Sequence, residues 1–225
     1  MAENKAEQEA EKYLKSGEQA LTRTEQFLEN NQKSIAIGAV AIIALLAIVW
    51  IVNSLYVQPR KGEAQKEIFN AQYYFETDSF RLALEGDGQS LGFLDIIDQY
   101  GSTPAGNLAG YYAGVCYLHL GDFEQAKNYL KSFSSDDEIL NVFAKGLVGD
   151  AEAELGNNAA AIAAYQKAAN SGNKIASPIF LIKLGALYEA EGNETKAKEA
   201  YQQVKDDYPT SAQAVLADKY LGASK

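Results

Sequence analysis

Apolar positions along the chain fall into three regimes. In residues 1–34 they are sparse: Leu14, Leu21, Phe27 and Leu28 stand among five basic and seven acidic side chains. This pattern predicts a solvated helix or a partly disordered tail, with a short coiled coil or partner-docking helix as the alternative. The second regime is IAIGAVAIIALLAIVWIV, Ile35–Val52, which holds no charged or strongly polar residue. Leu55, Tyr56 and Val57 extend it over residues 35–57, and a bilayer-spanning helix needs roughly 20 residues. Trp50 and Tyr56 lie at its far end, where amphipathic rings favour a membrane interface. As a core helix, such a run would need protein around its whole circumference. From residue 58 onward the third regime has helical periodicity throughout and no convincing strand.

The span reads as an uncleaved single-pass anchor. A signal peptide has a short basic leader, a shorter apolar core and a small-x-small cleavage site. Here the leader occupies residues 1–34 and Val52–Val57 offers no such site. The single cysteine, Cys116, is far downstream, which argues against a lipoprotein. Lys15, Arg23 and Lys33 on one side balance Arg60, Lys61 and Lys66 on the other, so nearby positive charge does not fix the orientation. A short leader, one span and a large C-terminal domain suit a signal-anchor with its N-terminus inside.

Residues 58–106 read as a linker and a degenerate first helical repeat or cap. Pro59 marks a short connection over Gln58–Gly62. Ile68, Phe69, Ala71, Gln72 and Phe75 then predict one amphipathic helix running to Leu84. Gly86-Asp87-Gly88 breaks it, and Leu91–Tyr100 forms a second helix that ends before Pro104.

Residues 107–211 repeat a spacing three times. Gly114, Tyr117, Gly121, Ala126 and Leu130 fall at offsets 8, 11, 15, 20 and 24 of a unit starting at Asn107. Gly149, Gly156, Ala161 and Tyr165 match the same offsets from Val142, with Glu152 where offset 11 wants a large residue. Leu184, Gly185, Tyr188, Gly192, Ala197 and Tyr201 match from Pro178, and Pro209 ends that unit. Small residues at offsets 8 and 20 let two helices approach, while large ones at 7, 11 and 24 fill between them. This is the spacing of the tetratricopeptide repeat, whose period is about 34 residues. Residues 212–225 add a helix that covers the open end. The predicted fold is all-α: one N-terminal transmembrane helix followed by a tetratricopeptide-repeat solenoid, a scaffold fold that does not by itself specify a function.

Composition narrows the chemistry. The chain is acidic, with a formal charge of −10 and no stripe of Lys and Arg, so nucleic acid is not an expected partner. One His and one Cys leave little for a metal or nucleophile site. His119 reads as a polar residue in a helix's last turn, and Cys116 as core. Asp136-Asp137-Glu138 lacks the spaced oxygen ligands of a cation loop and reads as a charged turn between repeats. No catalytic set emerges, so neither an enzyme nor a cofactor or metal site is expected.

In this repeat family the first helix of each unit lines the concave side, chiefly through offsets 2, 5, 9, 12 and 13. Those positions are Leu108, Tyr111, Val115, Leu118 and His119 in the first unit, then Phe143, Gly146, Asp150, Ala153 and Glu154, then Ile179, Ile182, Ala186, Glu189 and Ala190. With Tyr112 and Leu147 beside them, the candidate partner groove comprises Tyr111, Tyr112, His119, Phe143, Leu147, Ile179 and Ile182. It predicts a slot for an extended or helical apolar segment. The competing role for Tyr111, Phe143 and Ile182 is packing against the preceding helix pair, and Leu108 and Val115 are expected in the core. Asp150, Glu154 and Glu189 would repel the C-terminal carboxylate of a chaperone tail.

A polar leader, one span near residue 35 and a repeat domain to the C-terminus resemble the YfgM-like ancillary subunits of the bacterial Sec translocon. The resemblance rests on EQFLENNQKSIAIGAVAIIALLAIVW, on GNLAGYYAGVCYLHLGDFEQAKNYL and on Ser177–Ser211. The acidic turn at Asp136–Glu138 and the Asp150 and Glu154 face lie outside it. It implies an inner-membrane protein with a periplasmic repeat domain. It also implies partners among translocon subunits, periplasmic chaperones and exported proteins. The expected function is therefore a membrane-tethered adaptor at the export channel, and the alternative is a structural subunit of an envelope complex with one permanent partner.

Overall fold

The computed structural model describes residues 31–223; the expectation for the leader falls almost wholly on residues 1–30, outside that range. The described residues form helices and connecting turns, with no strand among them. By contacts the chain divides into two units, residues 1–58 and 59–225.

The first unit holds α1, residues 31–52, followed by a π-helical turn at Asn53–Val57. Its most apolar 18-residue window has a mean hydropathy of 3.0 and no buried residue, so it is long and apolar enough to cross a membrane. Gln58–Gly62 was expected as a connection, but the chain stays helical there. Helix α2 is Gln58–Glu76. Pro59 has no N–H to donate and its ring crowds the preceding turn. The wider π-turn stands immediately before it, the kind of local adjustment that such a clash favours.

The second unit is a succession of helices, each packed on its neighbours in the chain. Helices α2 and α3 (Phe80–Glu85) with α4 (Phe93–Tyr100) form the first group. The single helix expected to reach Leu84 is broken after Glu76. Asp78 takes a left-handed φ of 55°, and the Thr77 hydroxyl donates to the carbonyls of Tyr73 and Tyr74, closing the helix end. Inside, Phe93 stacks on Tyr112 with ring centroids 5.2 Å apart, and Phe75 meets Phe80, Phe93 and Tyr112 edge-on.

Three pairs follow: α5 (Pro104–Leu120) with α6 (Phe123–Ser132), α7 (Glu138–Glu154) with α8 (Asn158–Ala169), and α9 (Ser177–Ala190) with α10 (Glu194–Asp207). Helix α11, Ala212–Ala223, packs on the last pair through Ala217 and stacks Tyr220 on Tyr201. The offset-8 glycines set the approach within each pair. A methyl group on Gly114 would sit 2.6 Å from Leu130, on Gly149 2.5 Å from Tyr165, and on Gly185 2.3 Å from Tyr201. The side chain at offset 24, a leucine or a tyrosine, therefore lies directly on the backbone of the facing helix. The turn glycines at offset 15, Gly121, Gly156 and Gly192, have φ of 80°, 75° and 75°, which a Cβ would strain. Asp122, Asp137 and Asn193 cap the helices that follow by accepting from backbone N–H groups. Asp137 thus gives the acidic turn a local structural task.

Consecutive pairs are joined at offset 11. Tyr188 is buried there and its hydroxyl accepts from the Gln166 amide at 2.9 Å. Glu152, also buried, takes the same place one repeat earlier. It binds Lys131 Nζ at 2.9 Å and the Asn157 amide at 3.0 Å, with Lys127 at 3.9 Å. The hydrogen bond from Lys131 is the first cause holding its carboxyl below the usual range, with Asn157 and the charge of Lys127 adding to it against the opposing effect of burial.

Candidate functional site: the concave trough

The first helices of the three pairs, α5, α7 and α9, leave an open trough of about 570 Å³. Val115, Leu118, Leu147, Ala153, Ala186, Leu187 and Ala190 make most of its wall, and Phe123 enters from α6. Helical spacing puts these residues on one face because offsets 9, 12 and 13 succeed each other by three or four positions.

Of the seven groove candidates, His119 and Leu147 line this trough. His119 is exposed and stacks flat on Phe80, with centroids 4.0 Å apart. The others stand elsewhere. Tyr111 packs on Phe133 and Tyr112, and burial pushes its hydroxyl up to about 12. Tyr112 belongs to the N-terminal aromatic group. Phe143 lies edge-on to Phe180, Ile182 is 8% exposed in the C-terminal core, and Ile179 is half-buried. Offsets 2 and 5 therefore serve packing between successive pairs. Phe143 thus packs on the following pair rather than the preceding one, and Ile182 is buried in the C-terminal cluster. A methyl on Gly146, at offset 5, would sit 2.0 Å from Phe180, which shows how closely α7 and α9 meet at that level. Val115, expected in the core, is half-buried on the trough wall, and Leu108 packs beside the N-terminal group. Cys116 is fully buried, and its thiol is pushed up to about 12 by desolvation.

A charged group at the trough's centre has no counterpart in the sequence reading. Lys183 Nζ lies 2.6 Å from Asp150 Oδ2, and the Tyr165 hydroxyl donates to Asp150 Oδ1 at 2.8 Å. Burial, the Asp150 charge and this hydrogen bond all raise the Tyr165 pKa. The charge of Asp150 is therefore paired with Lys183, and Glu154 remains on the wall with no ion pair among the described residues. Lys183 sits at offset 6, as Tyr112 and Leu147 do in their units, but was not among the groove candidates. A lysine 33 positions from an aspartate, one repeat on, was the available signal.

The tetratricopeptide repeat model matches residues 108–136 and 181–211. The intervening segment folds as the same helix pair, so the chain carries tetratricopeptide repeats, a fold that serves as a protein-interaction scaffold. Among solved structures, a crystal structure of MamA is similar at 26% identity, covering 58% of this chain and 79% of that one, with a TM-score of 0.41. No curated protein matches the chain.

Proposed function

We propose that the chain is a membrane-tethered adaptor at the bacterial inner membrane, whose trough receives an apolar segment of a protein partner. The observation that carries this is the trough itself: an open, mostly apolar concavity of about 570 Å³ between three first helices, its central aspartate already satisfied by Lys183 and Tyr165. Such a surface loses little on desolvation and gains from burying an apolar side chain. Glu154 and His119 at its edge suit a partner segment with a basic or polar flank. The apolar helix over residues 35–57 supplies the tether. Tethering raises the local concentration of a weakly held partner without any new contact. The YfgM-like layout supports placing the repeat domain in the periplasm. Its partners there are translocon subunits, chaperones and exported clients. The scaffold is read as a binding protein and not a catalyst.

The test is photo-crosslinking in intact cells with the probe at Leu118, Leu147 or Ala186, followed by mass spectrometry. Adducts to translocon subunits, chaperones or several exported proteins are the expected result. One dominant adduct to a single envelope component would replace the adaptor by a permanent structural subunit. Adducts confined to cytosolic proteins would invert the topology, as would a reporter fused at Lys225 that is active only in the cytosol.

A further inference from the structure

The back of the solenoid carries two grooves that are the same place one repeat apart. Each lies between the second helices of neighbouring pairs, over the first helix between them. The later groove, about 270 Å³, is lined by Gln166, Leu184, Tyr188, Lys196, Glu199 and Gln203, among others. The earlier one, about 390 Å³, has Lys131, Val148, Glu152, Ala160, Ala163 and Lys167 at the corresponding offsets. Lys196 and Glu199 have become alanines, and Tyr188 has become a carboxylate turned toward Lys131 and Asn157. The groove is larger, and its floor, completed by Leu130, Phe133, Ala144 and Ala164, is apolar.

Its rim differs in charge as well. Lys145 on α7 and Lys167 on α8 line it, both exposed and without an ion-pair partner among the described residues. Lys131 shares the only carboxylate in the groove, Glu152, with Lys127. A surplus of positive charge gathers there on a chain whose formal charge is −10. The later groove has one cation and one anion, Lys196 and Glu199.

We infer that this groove, formed by α6, α7 and α8, docks an acidic amphipathic helix of a partner protein, at a site separate from the concave trough. Alanines at Ala160 and Ala163 let a helix backbone approach closely. Large apolar side chains of the partner then fill the floor, and its flanking carboxylates meet Lys145 and Lys167. The charge pattern excludes a basic segment by the same contacts.

The test uses the full chain in nanodiscs of neutral phosphatidylcholine, with empty nanodiscs as the blank. The probe is a fluorescein-labelled 18-residue helical peptide with leucines on one face and glutamates flanking them. A second peptide has lysine in place of every glutamate. Fluorescence anisotropy is expected to show saturable binding of the acidic peptide and at least tenfold weaker binding of the basic one. The double variant K145E/K167E should lose at least tenfold in affinity, and Ala163→Trp, which fills the floor, should lose a similar amount. Ala186→Asp, exposed in the concave trough on α9 and outside the groove's floor, should leave the affinity unchanged. Circular dichroism of each variant establishes that its helix content is intact. Three outcomes would overturn the inference: equal binding of both peptides, indifference to K145E/K167E, or loss of binding with Ala186→Asp.

Discussion

The two ends of the repeat domain are built by different means. At the N-terminal end, α2–α4 close against α5 around a ring cluster: Phe75, Phe93 and Tyr112 occupy the space between the helices and Phe93 is completely buried, while the connecting glycines Gly92 and Gly106 meet neighbouring backbone. At the C-terminal end, α9 and α10 close by approach. Gly185 withdraws so that Tyr201 can lie on its backbone. An interface held by buried rings fails through the cavity left when a ring is removed. An interface closed onto backbone fails through overpacking when a side chain is added. The first depends on the volume its rings fill, the second on small residues staying small.

The largest expected effect tests the filled end. Phe93→Ala removes a fully buried ring and should cost about 3–5 kcal/mol, measured by denaturant unfolding of the full chain in detergent. A cost below about 1 kcal/mol would mean that the aromatic group does not hold this end together.

Gly185→Leu tests the other end. Its first side-chain carbon would meet Tyr201 at 2.3 Å, and overpacking of this kind costs roughly 1–3 kcal/mol. An unchanged melting temperature would remove the basis for distinguishing the two modes of closure.

The smallest effect sharpens the comparison between repeats. Glu152→Gln exchanges a charged hydrogen-bond acceptor for a neutral one and should cost about 1–2 kcal/mol at neutral pH. The folded carboxyl titrates below its ordinary value of 4.5, with the Lys131 hydrogen bond as the leading cause. Its contribution is therefore complete above that value and is lost as pH falls through the folded value. The melting-temperature gap between wild type and variant should be constant at neutral pH and close on acidification below pH 4.5. A gap that widens in acid would show that Glu152 is stabilised in its neutral form.

Much of this fold was legible because the repeat spacing has a direct steric meaning. Gly114, Gly149 and Gly185 were legible as close-approach positions, and the residues facing them, Leu130, Tyr165 and Tyr201, fall at the expected offset. The three turns at offset 15 and the end of the last pair before Pro209 were legible for the same reason. The candidate site was only half legible. Offsets count positions along one helix, but lining depends on where the next pair crosses it. Phe143 and Ile182 are apolar and on the correct helices, yet the crossing at Gly146 and Phe180 covers that level. Lys183 was missed because its role depends on Asp150, a residue of a different repeat. The break at Thr77–Ser79 was invisible for another reason. No Gly or Pro marks it, and the side-chain hydrogen bonds that close the helix end are available to many threonines that do not use them.

The bonds at offset 11 give the repeats an order. Lys131 of one pair is matched to Glu152 of the next, and Gln166 of that pair to Tyr188 of the one after. If the α7–α8 pair were duplicated in place, the second copy's glutamate would face Ile162 and Gln166 and be left buried without a cation. If α9–α10 were moved forward behind α6, its tyrosine would meet the lysine meant for a carboxylate. Segments that look like interchangeable bricks thus carry matched edges. A lineage that gains or loses a repeat by recombination must change both sides of the joint together, so unequal exchange within this array meets a barrier that the shared glycine spacing alone would not impose.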